Sequence, residues 1–212
     1  MKRIFPSVMA KDQQELDAIF NNLRGAVRYL HLDIADGKFV SNRSLWFPFK
    51  LSPKFRYIAH LMVKEPGSWI RKHGKKVEFC IVQVETVDIT DYIKSMEGKK
   101  IAFALNPETS VNKIKKYLKE INYVLILTAH PGFYGGKYLR YPLKKIKEIK
   151  KINPKVKVIV DGGMNPMTAK EAVKAGADFI VSGSFITKAE KPKERIKSLG
   201  AAFQTTNLFC FI

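Results

Sequence analysis

Short runs of β-branched and aromatic residues alternate along this chain with longer stretches in which apolar positions recur every three or four residues. That alternation is the pattern of βα units repeated around a parallel sheet. Eight runs read as strands, near 3–9, 26–33, 55–62, 77–84, 100–105, 123–128, 156–161 and 179–182. Helical periodicity follows most of them, over 12–23, 66–73, 89–96, 109–119, 139–152, 168–175 and 191–199. Asp12 ahead of Glu15, and Asn165-Pro166 ahead of Thr168, suit the caps and first turns of two of these helices. Between Asn42 and Phe55 two prolines leave little room, so the helix after the second strand is expected to be short or broken.

Eight βα units can close into a barrel or stay open as a doubly wound sheet. The open fold carries a glycine fingerprint after its first strand, whereas Pro6-Ser7-Val8-Met9 stands there. The pattern therefore predicts a single eight-fold β/α (TIM) barrel over residues 1–200, with a tail over 201–212. In such a barrel, reactive groups sit at the C-terminal ends of strands.

Composition narrows the picture in three ways. A hydrophobic content of 46% in 212 residues supports one sizeable core. The net charge of +19 suggests anionic partners, but the lysines of 113–119 and 144–151 alternate with apolar residues as solvated helix faces, and no nucleic-acid motif accompanies them. An anionic small molecule is the milder use of that charge. The two cysteines, Cys80 and Cys210, are too few for a disulfide framework or a thiolate metal site. No apolar run reaches transmembrane length and the first residues lack a signal-peptide pattern, so a cytoplasmic location is expected.

The candidate chemistry lies at the strand ends. Strand two carries His31 and Asp33 on one face because strand side chains alternate. Strand three brings His60, and strand seven brings Asp161 from the far side. Two imidazoles and two carboxylates converging on one barrel mouth suit one divalent ion, such as Zn, Mn, Fe(II) or Co, rather than calcium. His73, in a basic helix end, has no such partner and reads as solvated, while His130 adjoins a glycine loop. Late loops His130-Pro-Gly-Phe-Tyr-Gly-Gly, Asp161-Gly-Gly and Ser182-Gly-Ser supply backbone N–H groups able to surround a phosphate.

These features resemble the ribulose-phosphate 3-epimerase family across nearly the whole chain. The matching segments are Pro6-Ser7, His31-Leu-Asp33-Ile-Ala-Asp36-Gly37 with Phe39-Val40 and Asn42, His60-Leu-Met62, Leu105-Asn-Pro-Glu-Thr-Ser-Val111, Pro131-Gly-Phe133, Val160-Asp-Gly-Gly163 and Ser182-Gly-Ser184. The resemblance implies a barrel of the ribulose-phosphate-binding type, with His31, Asp33, His60 and Asp161 as metal ligands and the two aspartates as the acid/base pair. It implies a sugar phosphate held by Ser7, His60 and Met62, by Gly132, Phe133, Tyr134 and Gly135, by Gly162 and Gly163, and by Gly183 with Ser184. The implied reaction is metal-dependent interconversion of D-ribulose 5-phosphate and D-xylulose 5-phosphate.

The chain departs from the family pattern at several places. Ala35 and Leu127 stand where methionines are usual, Tyr134 where a glycine is usual, Ile58 where many members are acidic, and Gln83 where histidine is common. Epimerisation of a six-carbon ketose phosphate such as allulose 6-phosphate is the close alternative. A lyase or synthase on the same barrel would need a lysine at a strand end beside Asp33, and none is found. The non-enzymatic alternative is a barrel that only binds sugar phosphate or RNA. The apolar tail, without a family counterpart, is expected to cap the barrel bottom or to join subunits into a homo-oligomer.

Overall fold

A computed structural model of the chain describes residues 3–96, 98–132 and 134–204. Eight parallel strands close on themselves: β1 (Ile4–Val8), β2 (Tyr29–Asp36), β4 (Arg56–Met62), β5 (Phe79–Gln83), β6 (Ala102–Leu105), β7 (Tyr123–Leu127), β8 (Lys157–Asp161) and β9 (Phe179–Ser182). Closure comes from β1 pairing with both β2 and β9. The remaining strand, β3 (Arg43–Ser44), adds a short antiparallel edge to β2.

Alternation sorts the strand residues onto two faces. Outward residues such as Leu30, Leu32, Ala59, Leu61, Val124 and Val160 pack under the helices in the larger core. Inward residues fill the barrel itself: Phe5, Ile58, Phe79, Ile81, Ala102, Ala104, Leu125, Leu127, Ile159 and Val181. Aromatic rings close the N-terminal end, with Phe5 stacked on Phe179 at 5.1 Å and Phe79 on Tyr123 at 4.4 Å. The apolar floor leaves only the C-terminal mouth for polar chemistry.

The helices that cover the sheet are α1 (Gln13–Leu23), α2 (Pro66–His73), α3 (Ile89–Ser95), α4 (Lys144–Ile152), α5 (Pro166–Ala175), α6 (Ser184–Thr187) and α7 (Pro192–Gly200). Asp12 caps α1 by accepting from Glu15 N–H, and Asn165 caps α5 in a reciprocal box with Thr168.

Four local expectations change. The run expected as a helix over 109–119 forms two 3₁₀ turns, Val111–Lys113 and Lys115–Tyr117. The helix expected from 139 begins only at Lys144, after a 3₁₀ turn through Pro142. No helix follows β2; that span holds β3 and loops. Strand β2 itself runs to Asp36, because Ala35 pairs with both Met62 and Ser44.

The lysine-rich face of α4 is also not wholly solvated. Lys145 is only 4% exposed and its ammonium donates to the carbonyls of Asn106 and Pro107 at 2.7 and 2.8 Å. Burial pulls its pKa down to about 8. His73 is likewise not a solvated helix end, since its ring stacks on Phe49 at 5.4 Å and meets Trp69 at 5.1 Å. Residues 205–212 of the tail, and with them its expected role, lie outside the described residues. No helix among the described residues is long and apolar enough to cross a membrane.

Candidate active site

The barrel mouth opens into a cavity of about 370 Å³ lined by the ends of β1, β2, β4, β7, β8 and β9 and by the loops after the last three. Four ionisable side chains meet at its floor. His31, Asp33, His60 and Asp161 each offer one nitrogen or oxygen, and these atoms all lie within 4.8 Å of one another.

Register explains the convergence. Asp33 is level with His60 across the β2–β4 pair, and His31 sits one layer lower, level with Ile58 and with Ser7 of β1. The two histidines are therefore a layer apart, and their rings approach to 5.5 Å. Asp161 ends β8 beside Leu127 and Val181.

Asp33 is the hub of this group. Its Oδ1 lies 3.2 Å from His60 Nδ1 and 3.2 Å from His31 Nε2, while His31 Nε2 is 4.0 Å from Asp161 Oδ2. Burial alone would raise the Asp33 pKa, but the charge of His31, joined by the hydrogen bond and charge of His60, holds it well below the carboxylate range. Burial and the charge of Asp33 drive Asp161 the other way, up to about 7. For His31 burial acts downward, yet Asp33 and Asp161 outweigh it and the net shift is upward. His60 is lowered, by burial and by the neighbouring His31.

The donor set fits a divalent cation on two grounds. Two nitrogens and two carboxylates of four residues make a mixed set suited to a borderline metal. Moreover His31 is fully buried with neither ring nitrogen in a hydrogen bond, a state that is costly for a polar group with no other partner.

Gln83 is a participant that the strand pattern did not reveal. Its Nε2 lies 3.0 Å from His60 Nε2, and its own Oε1 is buried without a partner. A half-turn of the carboxamide would let Oε1 accept from His60 Nε2–H and leave Nδ1 as a lone pair facing Asp33. Either way Gln83 fixes the tautomer of His60.

The opposite wall is built from the late loops. Gly132, Tyr134, Gly135, Gly162, Gly163, Gly183 and Ser184 line the cavity, as do Ser7, His60 and Met62. Phe133 lies outside the described residues. Of the departures from the family pattern, Leu127 lines the cavity, whereas Ala35 lies buried beside Met62 in the sheet. Asp36 is structural, its carboxylate accepting from the N–H groups of Lys38, Phe39 and Lys64.

Gly162 is required by its backbone. It has φ +118°, and a Cβ there would sit 2.6 Å from Ala129 N. Gly162→Ala is expected to destabilise the fold by about 3 kcal/mol, combining a strained φ with a backbone clash. Urea unfolding checks this, and an unchanged midpoint would contradict it.

Known proteins similar in sequence to this chain share one family description. The model of the ribulose-phosphate 3 epimerase family matches residues 3–187. The chain is 31% identical to ribulose-phosphate 3-epimerase of Aquifex aeolicus, over 94% of this chain and 97% of that one. It is 32% identical to the enzyme of that name from Methanocaldococcus jannaschii, over 95% and 91%, and 31% identical to a cytoplasmic isoform from Oryza sativa, over 93% and 92%. Among solved structures it is similar to 3-hexulose-6-phosphate synthase from Salmonella typhimurium, with TM-score 0.66, 14% identity and coverage of 96% and 99%. It is also similar to KGPDC from Streptococcus mutans, with TM-score 0.63, 13% identity and coverage of 97% and 98%. These two likenesses establish the barrel fold alone. The family match over most of the length and relatives above 30% identity carry the rest: the chain belongs to the ribulose-phosphate 3-epimerase family and is an epimerase, an enzyme of the isomerase class.

Proposed function

We propose that this barrel, over residues 1–200, interconverts D-ribulose 5-phosphate and D-xylulose 5-phosphate in the cytoplasm. The observation that carries the reading is the meeting of Asp33 and Asp161 with two histidines on the floor of a cavity whose opposite wall is made of glycine loops.

Inverting the hydroxyl-bearing carbon beside the ketone breaks one C3–H bond and forms another on the opposite face. One aspartate takes the proton from C3 and its electron pair moves into the C2–C3 bond, leaving an enediolate. The other aspartate, protonated at the outset, gives its proton to the opposite face of C3, and the roles exchange in the reverse direction. A divalent cation held by His31, Asp33, His60 and Asp161 would supply positive charge against the negative charge developing on the substrate oxygens. Gln83 holds the His60 ring in place. Backbone N–H groups of the loops at Gly132, Gly162, Gly163, Gly183 and Ser184 would bind the phosphate, with Ser7 and Met62 bordering the sugar. The buried strands and Leu127 keep water from the floor.

The lyase reading has little support, because no lysine lines the cavity among the described residues. The test is a coupled assay for D-xylulose 5-phosphate, run with zinc, manganese, iron(II) or cobalt. Turnover with at least one cation is the expected result. Absence of turnover with all four would refute the proposal.

A further inference from the structure

Tyr134 stands where a glycine is usual in the family, and its surroundings give that exchange a use. Its hydroxyl is saturated on β1: it accepts from Met9 N–H at 2.8 Å and donates to Ser7 C=O at 2.9 Å. Its ring lies flush against β9, because a Cβ added at Gly183 would fall 2.5 and 2.7 Å from Cε1 and Cδ1. The side chain therefore reaches from the loop after β7 to the ends of β9 and β1, and it borders the same cavity as Asp33 and Gly163. Swinging the ring away would break both of these hydrogen bonds, which resists opening.

We infer that Tyr134 is a specificity-determining residue, a fixed wall that limits the substrate to a five-carbon sugar phosphate. The inference rests on reading the cavity as a sugar-phosphate site. With the reacting aspartates on the floor and the glycine loops opposite, chain length is set by the space between them. A six-carbon chain adds one hydroxymethylene carbon to that span, and the ring, which borders the cavity, takes up room that this carbon needs. A glycine at the same position would leave the space open. Gly183 is part of the device, since any side chain there would collide with the ring and with Ser7 Oγ, 2.8 Å from the added Cβ.

The experiment uses two polyol phosphates that lack the carbonyl and cannot react, ribitol 5-phosphate and glucitol 6-phosphate, titrated calorimetrically into the full chain. One carbon in a shaped pocket discriminates by about 10-fold to 200-fold, so the unsubstituted protein should prefer ribitol 5-phosphate by at least about tenfold, and Tyr134→Gly should remove most of that preference. Tyr134→Phe keeps the ring and should keep the preference, but the Met9 amide, having lost its acceptor, should exchange with solvent faster. Retention of the full preference in folded Tyr134→Gly would overturn the inference, as would comparable binding of both ligands by the unsubstituted protein. An unchanged Met9 exchange rate in Tyr134→Phe would overturn the tether even if the glycine variant fails to fold. Binding of neither ligand by the unsubstituted protein would instead remove the sugar-phosphate reading itself, and the inference with it.

Discussion

Asp161→Asn lowers the kcat of epimerisation by about 10³-fold, and Asp33→Asn by a similar factor, within the range of about 10²-fold to 10⁴-fold for loss of a positioned acid or base. The expectation follows from the placement of two carboxylates around one reacting carbon, each responsible for one face. Asparagine preserves shape and can still offer an oxygen, but it cannot take up or return the proton. Each variant should also retain a partial reaction. With one aspartate left, the epimer presenting its proton to that aspartate should still exchange C3–H with solvent, without inversion. Proton NMR of each substrate in D₂O, at saturating cation, separates exchange from inversion. Inversion within tenfold of the unsubstituted rate in both variants would contradict the assigned roles.

The second large effect is on stability. A cation that binds only the folded state adds about 2.7 kcal/mol at a free concentration 100 times its Kd, a rise of about 5 to 10 °C in Tm for a chain of this size. The gain should depend on pH. Asp161 in the cation-free fold is raised to about 7, so the folded state holds a proton that the unfolded chain releases near pH 4. Cation-free stability from this group is thus present below about pH 4 and falls as pH rises towards 7. His31, raised as well, acts in the same direction above about pH 6.5. His60, lowered, opposes it below that value, and the depressed Asp33 adds stability that is present above about pH 4 and lost only as pH falls below it. A cation offsets the crowding of the two carboxylates, so it should raise Tm more at pH 7.5 than at pH 5. Differential scanning fluorimetry with and without chelator reads this directly. An equal shift at both pH values, or no shift, would contradict it, and His31→Ala should abolish the shift altogether.

Much of this site was legible in the chain because strand geometry is simple. A period of two puts His31 and Asp33 on one face, and the β1 to β9 repeat puts His60 and Asp161 at the same mouth. The glycine loops followed from their position after the last three strands. What escaped was set by contacts between distant segments. Nothing in the local sequence pairs Gln83 with His60, places the Tyr134 hydroxyl on β1, or folds the Lys145 ammonium onto the carbonyls of Asn106 and Pro107. The 3₁₀ turns at 111–117 escaped for a different reason: apolar residues at Val111, Ile114 and Leu118 suit either helix type. The extension of β2 from Asp33 to Asp36 escaped because it depends on pairing with β3 and β4, and on three backbone N–H groups that anchor the Asp36 carboxylate.

Every expectation above returns to one step, in which two carboxylates invert a carbon by taking its proton on one face and returning one on the other. The decisive experiment converts D-ribulose 5-phosphate in D₂O with the active cation and follows the first product formed by mass spectrometry and NMR. D-xylulose 5-phosphate should carry deuterium at C3 and nowhere else. Product that retains the substrate's own hydrogen at C3, or deuterium at other carbons, is incompatible with that step.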